Sequence, residues 1–418
     1  MTQGIVVTAF TADITPCRPL QMGGFVGPER LTKHVDGQLE ANVVALEMNN
    51  ASVVFVSIDT LFVGAEMTSR IQADCAARFG VAQTQTLVLA SHTHFAPMLD
   101  SAKPRIGLAD PSEVDRCAGL ISTALRSETL SARSCVARVG NGLSDASVNR
   151  RLTWRLPNAR RLLGRVSGDV YMCDNPLGPR DPRVRSCTWL ADGGEPLAIL
   201  WSFACHPVGY PTSHTASADY VGRVREALRR SMGKSVPVVF APGCMGDVWP
   251  RSPDLRPAPE RLLSLALYGP TLRPMERQVW DHWAERFAAE VVAIEAGGRR
   301  QNLDAQGVVP TMAKMGVTDL IDGESPVPEL HAKSVTAPGV GRIVALSCEP
   351  VTEIAALVAR PDDLVLGYEG DVFGYLPTDA MVAEGGYEPK QSLPAFNLTG
   401  RFRQGIDQKI VSLCAQLT

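Results

Sequence analysis

The stretch with chemistry in it is Leu87–Val88–Leu89–Ala90–Ser91–His92–Thr93–His94, an apolar run ending in two histidines spaced i, i+2. Side chains alternate across a strand, so this spacing predicts that His92 and His94 leave one face and Thr93 the other. Two imidazoles at the end of a buried strand are half of a metal site. Two hydrogen-bonded histidines in a polar loop are the plain alternative. The chain has only seven histidines, so a close pair directs attention to other strand ends. His206 directly follows the apolar run Pro196–Ala204 and Cys205, and Glu349 follows Gly341–Leu346. Each stands immediately before a proline. Two histidines and one carboxylate are a common catalytic zinc set that keeps a position open for water.

The elements that must position these residues alternate between strand and helix patterns. Val43–Met48 and Val53–Ile58 read as strands, and Gly64–Arg78 has helical spacing closed by Gly80. Asp110–Pro111 is a helix start, with Asp as N-cap and Pro at the first helical position. Val184–Leu190 and Pro196–Ala204 form a strand pair, and Asp219 opens a helix to about Met232. Val236–Ala241 is the next strand, and Arg273–Ala296 carries the longest helical pattern. Gln301–Val335 is weakly patterned and rich in Pro and Gly, and reads as strands and loops of a lid or sub-lobe within 301–340. The expected architecture is α/β, one domain over 1–418, with a mixed sheet core, flanking helices and the site at the carboxyl ends of strands.

Composition narrows the partners. The chain of 418 residues is 45 % hydrophobic and 20 % charged, with a net charge of −3. That balance gives no reason to expect nucleic acid or an anionic membrane. No apolar run approaches the ~20 residues of a membrane-spanning helix. The first ten residues read as a strand rather than a signal peptide. Ten cysteines are spread evenly with no CxxC pair, which suits reduced thiols in the cytoplasm and argues against a cysteine zinc site. Cys205, Cys244 and Cys348 neighbour the candidate site and read as small packing residues. Arg151–Arg180, with Arg155, Arg160, Arg161 and Arg165, reads mainly as a solvated surface excursion, with a lip for an acidic substrate as the minor alternative.

Several segments, in order, carry a family resemblance. They are Ala12–Asp13–Ile14–Thr15–Pro16 with Gly23–Gly24, the strand Val53–Asp59, and Ser91–His92–Thr93–His94 with Pro97. Val148–Asn149–Arg150, Phe203–Ala204–Cys205–His206 and Ser217–Ala218–Asp219–Tyr220 follow. Gly246–Asp247–Val248 with Pro250, Cys348–Glu349 and Gly374–Tyr375–Leu376 with Thr378 complete the set. The chain resembles the neutral/alkaline non-lysosomal ceramidases in their catalytic N-terminal domain, over nearly its whole length. The resemblance implies zinc ligands at His92, His206, Glu349 and Tyr375. It also implies substrate-facing catalytic residues at His94 and Arg150, and Tyr375 is a candidate for that role too. Asp247 is a second candidate base. Gly24, Asp219 and Trp249 are expected at the substrate pocket.

One position departs from the family. Between Gly-Asp-Val and Pro, where the resemblance implies a catalytic serine, this chain has Trp249. Indole supplies neither a nucleophile nor a proton relay, and its bulk points to a substrate smaller than ceramide or differently shaped. The family's C-terminal sandwich domain is not expected here. The expected activity is zinc-dependent hydrolysis of a linear amide in a small molecule by metal-activated water. Cleavage of an ester or lactone on the same site, and a non-catalytic metal- or ligand-binding protein, are the alternatives. Homo-oligomerisation is left open.

Overall fold

The structure is a computed structural model that describes residues 5–48, 52–127, 133–156, 158–162, 169–272, 274–301, 303 and 309–417. It is mixed α/β: a nine-stranded sheet, a four-stranded sheet and flanking helices. In the larger sheet the strands run Val238–Pro242, Pro196–Phe203, Arg183–Ala191, Arg133–Leu143, Val6–Asp13, Glu40–Glu47, Val53–Ile58 and Thr86–Ala90, with Arg299–Gln301 added beside Arg133–Leu143. Among the described residues its two halves pair as strands at Val6 opposite Ser134 and Val7 opposite Arg133. They fold over one another, so that Val238–Pro242 lies beside Val53–Ile58. There the Ser57 hydroxyl donates to the Phe240 carbonyl at 3.1 Å, and the Val238 N–H donates to the Asn42 side chain at 3.2 Å. Val44, Phe55, Leu87, Leu89, Trp189, Leu200 and Val239 fill the space between.

Strand pairs next to the site are parallel. Thr86–Ala90 runs parallel to Val53–Ile58, Pro196–Phe203 to Val238–Pro242, and Gly341–Leu346 to Leu364–Leu366. Past the carboxyl end of each pair the chains diverge into loops, and the cleft so formed is where open α/β sheets place ligands. Those strands are buried on both faces, which explains their unbroken apolar sequences. The tight loop Gly367–Gly370 ties them together. The Gly367 N–H donates to Pro242, Tyr368 N–H to Cys348 and Gly370 N–H to Val88, while Ala90 N–H donates to Tyr368, at 2.8–3.1 Å.

In 301–340, residues 302 and 304–308 lie outside the described residues. Of the rest, Thr311–Gly316 and Glu329–Ala337 are adjacent strands of the four-stranded sheet, joined through the short helix Val317–Leu320. Strands are what the pattern there leads one to expect, and their inward residues Ala313, Leu330 and Ala332 are core. In 151–180, Arg151 is buried rather than solvated, bonded to Glu388 at 2.6 Å. Arg155 is exposed as expected. Arg165 and the side chains of Arg160 and Arg161 lie outside the described residues. A helix at Ala258–Tyr268 was not marked by the sequence pattern, because its leucines are exposed and follow no face. No helix among the described residues is long and apolar enough to cross a membrane.

Behind the first histidine strand lies a buried charge network. Arg225 donates to Asp59 at 2.7 Å and to the Gln38 carbonyl at 2.8 Å, and its Nε is 3.3 Å from Glu40. Arg229 bonds the other oxygen of Glu40 at 2.6 Å. Burial pushes the Asp59 carboxyl up, with Arg225 opposing. Replacing Arg225 by Met strands Asp59 beside Glu40. The expected loss is about 3–5 kcal/mol of stability, read as a lowered urea midpoint at unchanged slope.

Candidate metal centre and active site

The His92 strand ends at Ala90, two residues earlier than strand alternation required. Ser91 N–H then donates to Ile58 at 2.8 Å and His92 N–H to Thr60 at 2.9 Å, so the backbone stays tied to its neighbour while it turns. His92 takes a left-handed φ of 63°, uncommon for a residue with a side chain and typical of strained functional positions. The two imidazoles converge through this turn, not through the pleat, and their ring centres are 5.1 Å apart. Tyr368 packs on His92 at 4.3 Å between ring centres, with Phe62 beyond at 5.0 Å.

His206 lies past the end of Pro196–Phe203, its N–H donating to Val248 at 3.0 Å. Glu349 opens a two-residue strand parallel to Tyr375–Leu376, which sets Glu349 directly beside Tyr375. Three atoms then meet. His92 Nε2 is 3.0 Å from His206 Nε2, and Glu349 Oε2 is 3.2 Å from the first and 3.6 Å from the second. The far nitrogens fix the tautomers: His92 Nδ1 lies 3.0 Å from the Leu61 carbonyl and His206 Nδ1 2.7 Å from the Met245 carbonyl. A carbonyl only accepts, so we assign the protons to Nδ1, and both Nε2 atoms present lone pairs to each other and to a carboxylate. Burial, reinforced by Arg150 and the neighbouring histidines, holds His206 well below the usual imidazole range. Three acceptors facing one another in a buried site form a group that could hold a cation. Tetrahedral zinc with bonds of about 2.0–2.1 Å separates its ligand atoms by about 3.3 Å, which matches this triangle. His92, His94 and His206 also place their ligand atoms within 4.8 Å of one another, so the buried group could hold a metal ion.

His94 behaves differently. Neither ring nitrogen has a hydrogen-bond partner, and burial, then His92, Arg30 and Arg150, push it well below its usual pKa. Gly24 explains how the ring is seated. Its φ is 111°, and a Cβ there would fall 2.4 Å from His94 Nδ1. Only glycine allows that approach.

Arg150 and Tyr375 face the same space. Arg150 Nη2 donates to the Tyr375 hydroxyl at 2.9 Å, and its Nε donates to Glu388 at 3.0 Å. Burial alone would lower the Arg150 pKa; Tyr375 and Glu388 outweigh it and keep the guanidinium charged. Asp247 is fully buried and its oxygens are engaged: one accepts from the Thr352 N–H and hydroxyl at 2.7 and 2.9 Å, the other from Asn149 at 2.7 Å. These bonds fit a brace better than a proton acceptor. Asp219 is also enclosed, accepting from the Tyr210 and Tyr220 N–H groups at 3.0 and 2.6 Å and from Trp280 at 3.2 Å. Burial raises its pKa to about 6. It holds the loop at Tyr210, which lines a pocket, and does not itself line it. Trp249 does line that pocket, its indole N–H donating to Asp174 at 2.7 Å. Cys205, Cys244 and Cys348 are all buried.

Glu388, Tyr368, Phe25 and Arg30 had no signal in the sequence. Glu388 anchors both Arg150 and Arg151 from a chain segment more than 200 positions away, and its flanking residues Tyr387 and Pro389 form no motif. Arg30 lies five residues beyond Phe25 and seven beyond Gly23, in a stretch without a motif of its own.

No family model matches the chain, and no curated protein matches it by sequence. Solved structures do match by shape. Neutral ceramidase from Pseudomonas aeruginosa superimposes with a TM-score of 0.69 at 15 % identity, over 98 % of this chain and 74 % of that one. A ceramidase complexed with C2 gives the same score and identity, over 98 % and 75 %. Around its buried histidines, this chain has the fold of a bacterial neutral ceramidase.

Proposed function

We propose that the chain is a metal-dependent hydrolase, zinc being the expected ion, that cleaves the N-acyl amide bond of a small molecule other than ceramide. The observation that carries this reading is the triangle of His92 Nε2, His206 Nε2 and Glu349 Oε2, with sides of 3.0, 3.2 and 3.6 Å, the two ring protons being assigned to the far nitrogens that face carbonyls. The shared fold supports it.

A zinc ion on His92, His206 and Glu349 would supply a Lewis acid for the acyl carbonyl and lower the pKa of water toward neutrality. His94, neutral and with both nitrogens unpartnered, takes the proton of the attacking water and passes it to the leaving nitrogen. The water oxygen bonds to the acyl carbon, the C–N bond breaks, and an acid and an amine result. Arg150, kept charged and aimed by Glu388, faces the oxygen on which negative charge grows. Tyr375 stands beside Glu349 and can complete the ligand set or donate to that same oxygen. The hydrogen bond it accepts from Arg150 occupies the phenol oxygen and favours the second role. Serine is not needed, so Trp249 reshapes the pocket without removing a reacting group.

Chelation should abolish hydrolysis of an N-acyl amide and zinc should restore it. At 100-fold excess over its Kd, zinc should also raise the unfolding free energy by ~2.7 kcal/mol. His206→Ala and Glu349→Gln should each lose the bound metal by elemental analysis. Activity indifferent to both chelation and His206→Ala would end this reading. His94→Ala should keep its metal while kcat falls about 10²–10⁴-fold. Gly24→Ala should leave the far-ultraviolet circular dichroism unchanged and cut kcat at least tenfold, because the new methyl displaces the His94 ring.

A further inference from the structure

We propose that the substrate of this site carries an anionic carboxylate next to the scissile amide and an apolar body behind it, as an N-acyl amino acid does, with Arg30 receiving the carboxylate. This rests on the hydrolase reading above and adds the substrate class.

Three observations converge beside His94. First, a cavity of about 480 Å³ is walled largely by Phe25, Phe95, Tyr210, Trp249, Pro250 and Met275. Such walls take an apolar group, and the volume lies in the range of small-molecule pockets. Second, Arg30 stands in that wall with one end of its guanidinium committed. Its Nη2 donates to the Gly23 and His94 carbonyls at 2.5 and 2.8 Å. Its Nη1 has no partner, and no carboxylate pairs with Arg30 among the described residues. Burial without a counter-charge lowers its pKa to about 10, so the cation is held at a cost that an incoming anion would offset. Third, the same side chain covers both groups. Phe25 is 43 % exposed, lies 4.4 Å from the Arg30 guanidinium carbon and meets the His94 ring edge-on at 4.9 Å between centres. It stands between glycines of positive φ, Gly24 at 111° and Gly27 at 148°. Moving Phe25 aside uncovers the unpaired guanidinium donor and the unpartnered imidazole together.

Adjacency points to the class. Arg30 bonds the backbone carbonyl of His94, and Phe25 touches both its guanidinium and the His94 ring, so an anion on the free nitrogen is a neighbour of whatever the His94 ring meets. A carboxylate one carbon from the amide nitrogen meets that condition, and the apolar acyl group then occupies the pocket lined by Trp249. Hydrolysis consumes one water, forms the acyl C–O bond, breaks the C–N bond and releases a fatty or aryl acid and an amino acid.

The test is equilibrium binding of an uncleavable pair, 4-oxononanoate and its primary amide, in which a methylene replaces the scissile N–H of N-hexanoylglycine. Calorimetry on the metal-loaded protein should show the acid binding at least tenfold more tightly than the amide. The advantage should fall below threefold in Arg30→Gln, and Arg30→Lys, which keeps the charge, should retain part of it. Equal affinity of acid and amide for the unaltered protein would overturn the proposal. So would an advantage that survives Arg30→Gln undiminished, since the acid would then sit on the metal. Phe25→Ala should speed association of both ligands. Neither probe has a bond to cleave. A chain that selects the acid through Arg30 yet hydrolyses nothing would reject the hydrolase reading alone, and one that hydrolyses amides regardless of charge would reject this inference alone.

Discussion

Two imidazole nitrogens, assigned as unprotonated from the carbonyls behind them, share a volume with a carboxylate oxygen at separations of 3.0–3.6 Å, and among the described residues no cationic side chain lies between them. Lone pairs at that distance repel in a medium that screens poorly. The arrangement survives because the backbone gives each ring no alternative. The Leu61 and Met245 carbonyls hold the protons on the far side, Tyr368 and Phe62 fix the plane of His92, and Gly374 fixes the backbone of Glu349. The surrounding structure reads as the support for that one electrostatic demand.

The support has a clear mechanical origin. Each donor stands just past a strand that is hydrogen-bonded in parallel to a neighbour, and the Gly367–Gly370 loop bonds to three of those strands at once. A Cβ at Gly367 would lie 2.3 Å from Pro350, so this crossing is as tight as backbone permits. Shifting His92 therefore means shifting the strand that leads to Glu349. The buried ion pairs follow the same logic. Arg225 with Asp59 and Glu40 on one side, and Arg150 and Arg151 with Glu388 on the other, are short polar ties across layers. In the interior such ties impose geometry more than they add stability.

Much of this was legible in the sequence because burial leaves a direct trace. The run Val53–Ile58 and the Asp110 cap of the helix Pro111–Leu125 appear where apolar continuity and capping chemistry put them. His92, His94, His206 and Glu349, which the structure brings together, stand out in the sequence because metal-competent side chains at strand ends are few. The route by which the rings meet was not legible, since alternation assumes a strand that continues, and a left-handed residue at His92 has no compositional sign. Glu388 and Arg30 were invisible for another reason. A charged residue on a loop looks solvated until something buries it. Arg151 was misread on the same ground: a basic run usually faces water, and only the distant Glu388 reverses that.

The chain crossing at Gly367–Gly370 also governs the order of assembly. Glu349 and the loop that locks it come about 140 residues after His206 and more than 250 after His92. Contacts of such long sequence separation form slowly. Until they form, the two imidazoles stand without the carboxylate that completes their group. The triangle of His92, His206 and Glu349 is therefore a product of the finished fold and of no local segment, so its geometry reports that the most distant parts of the chain have met.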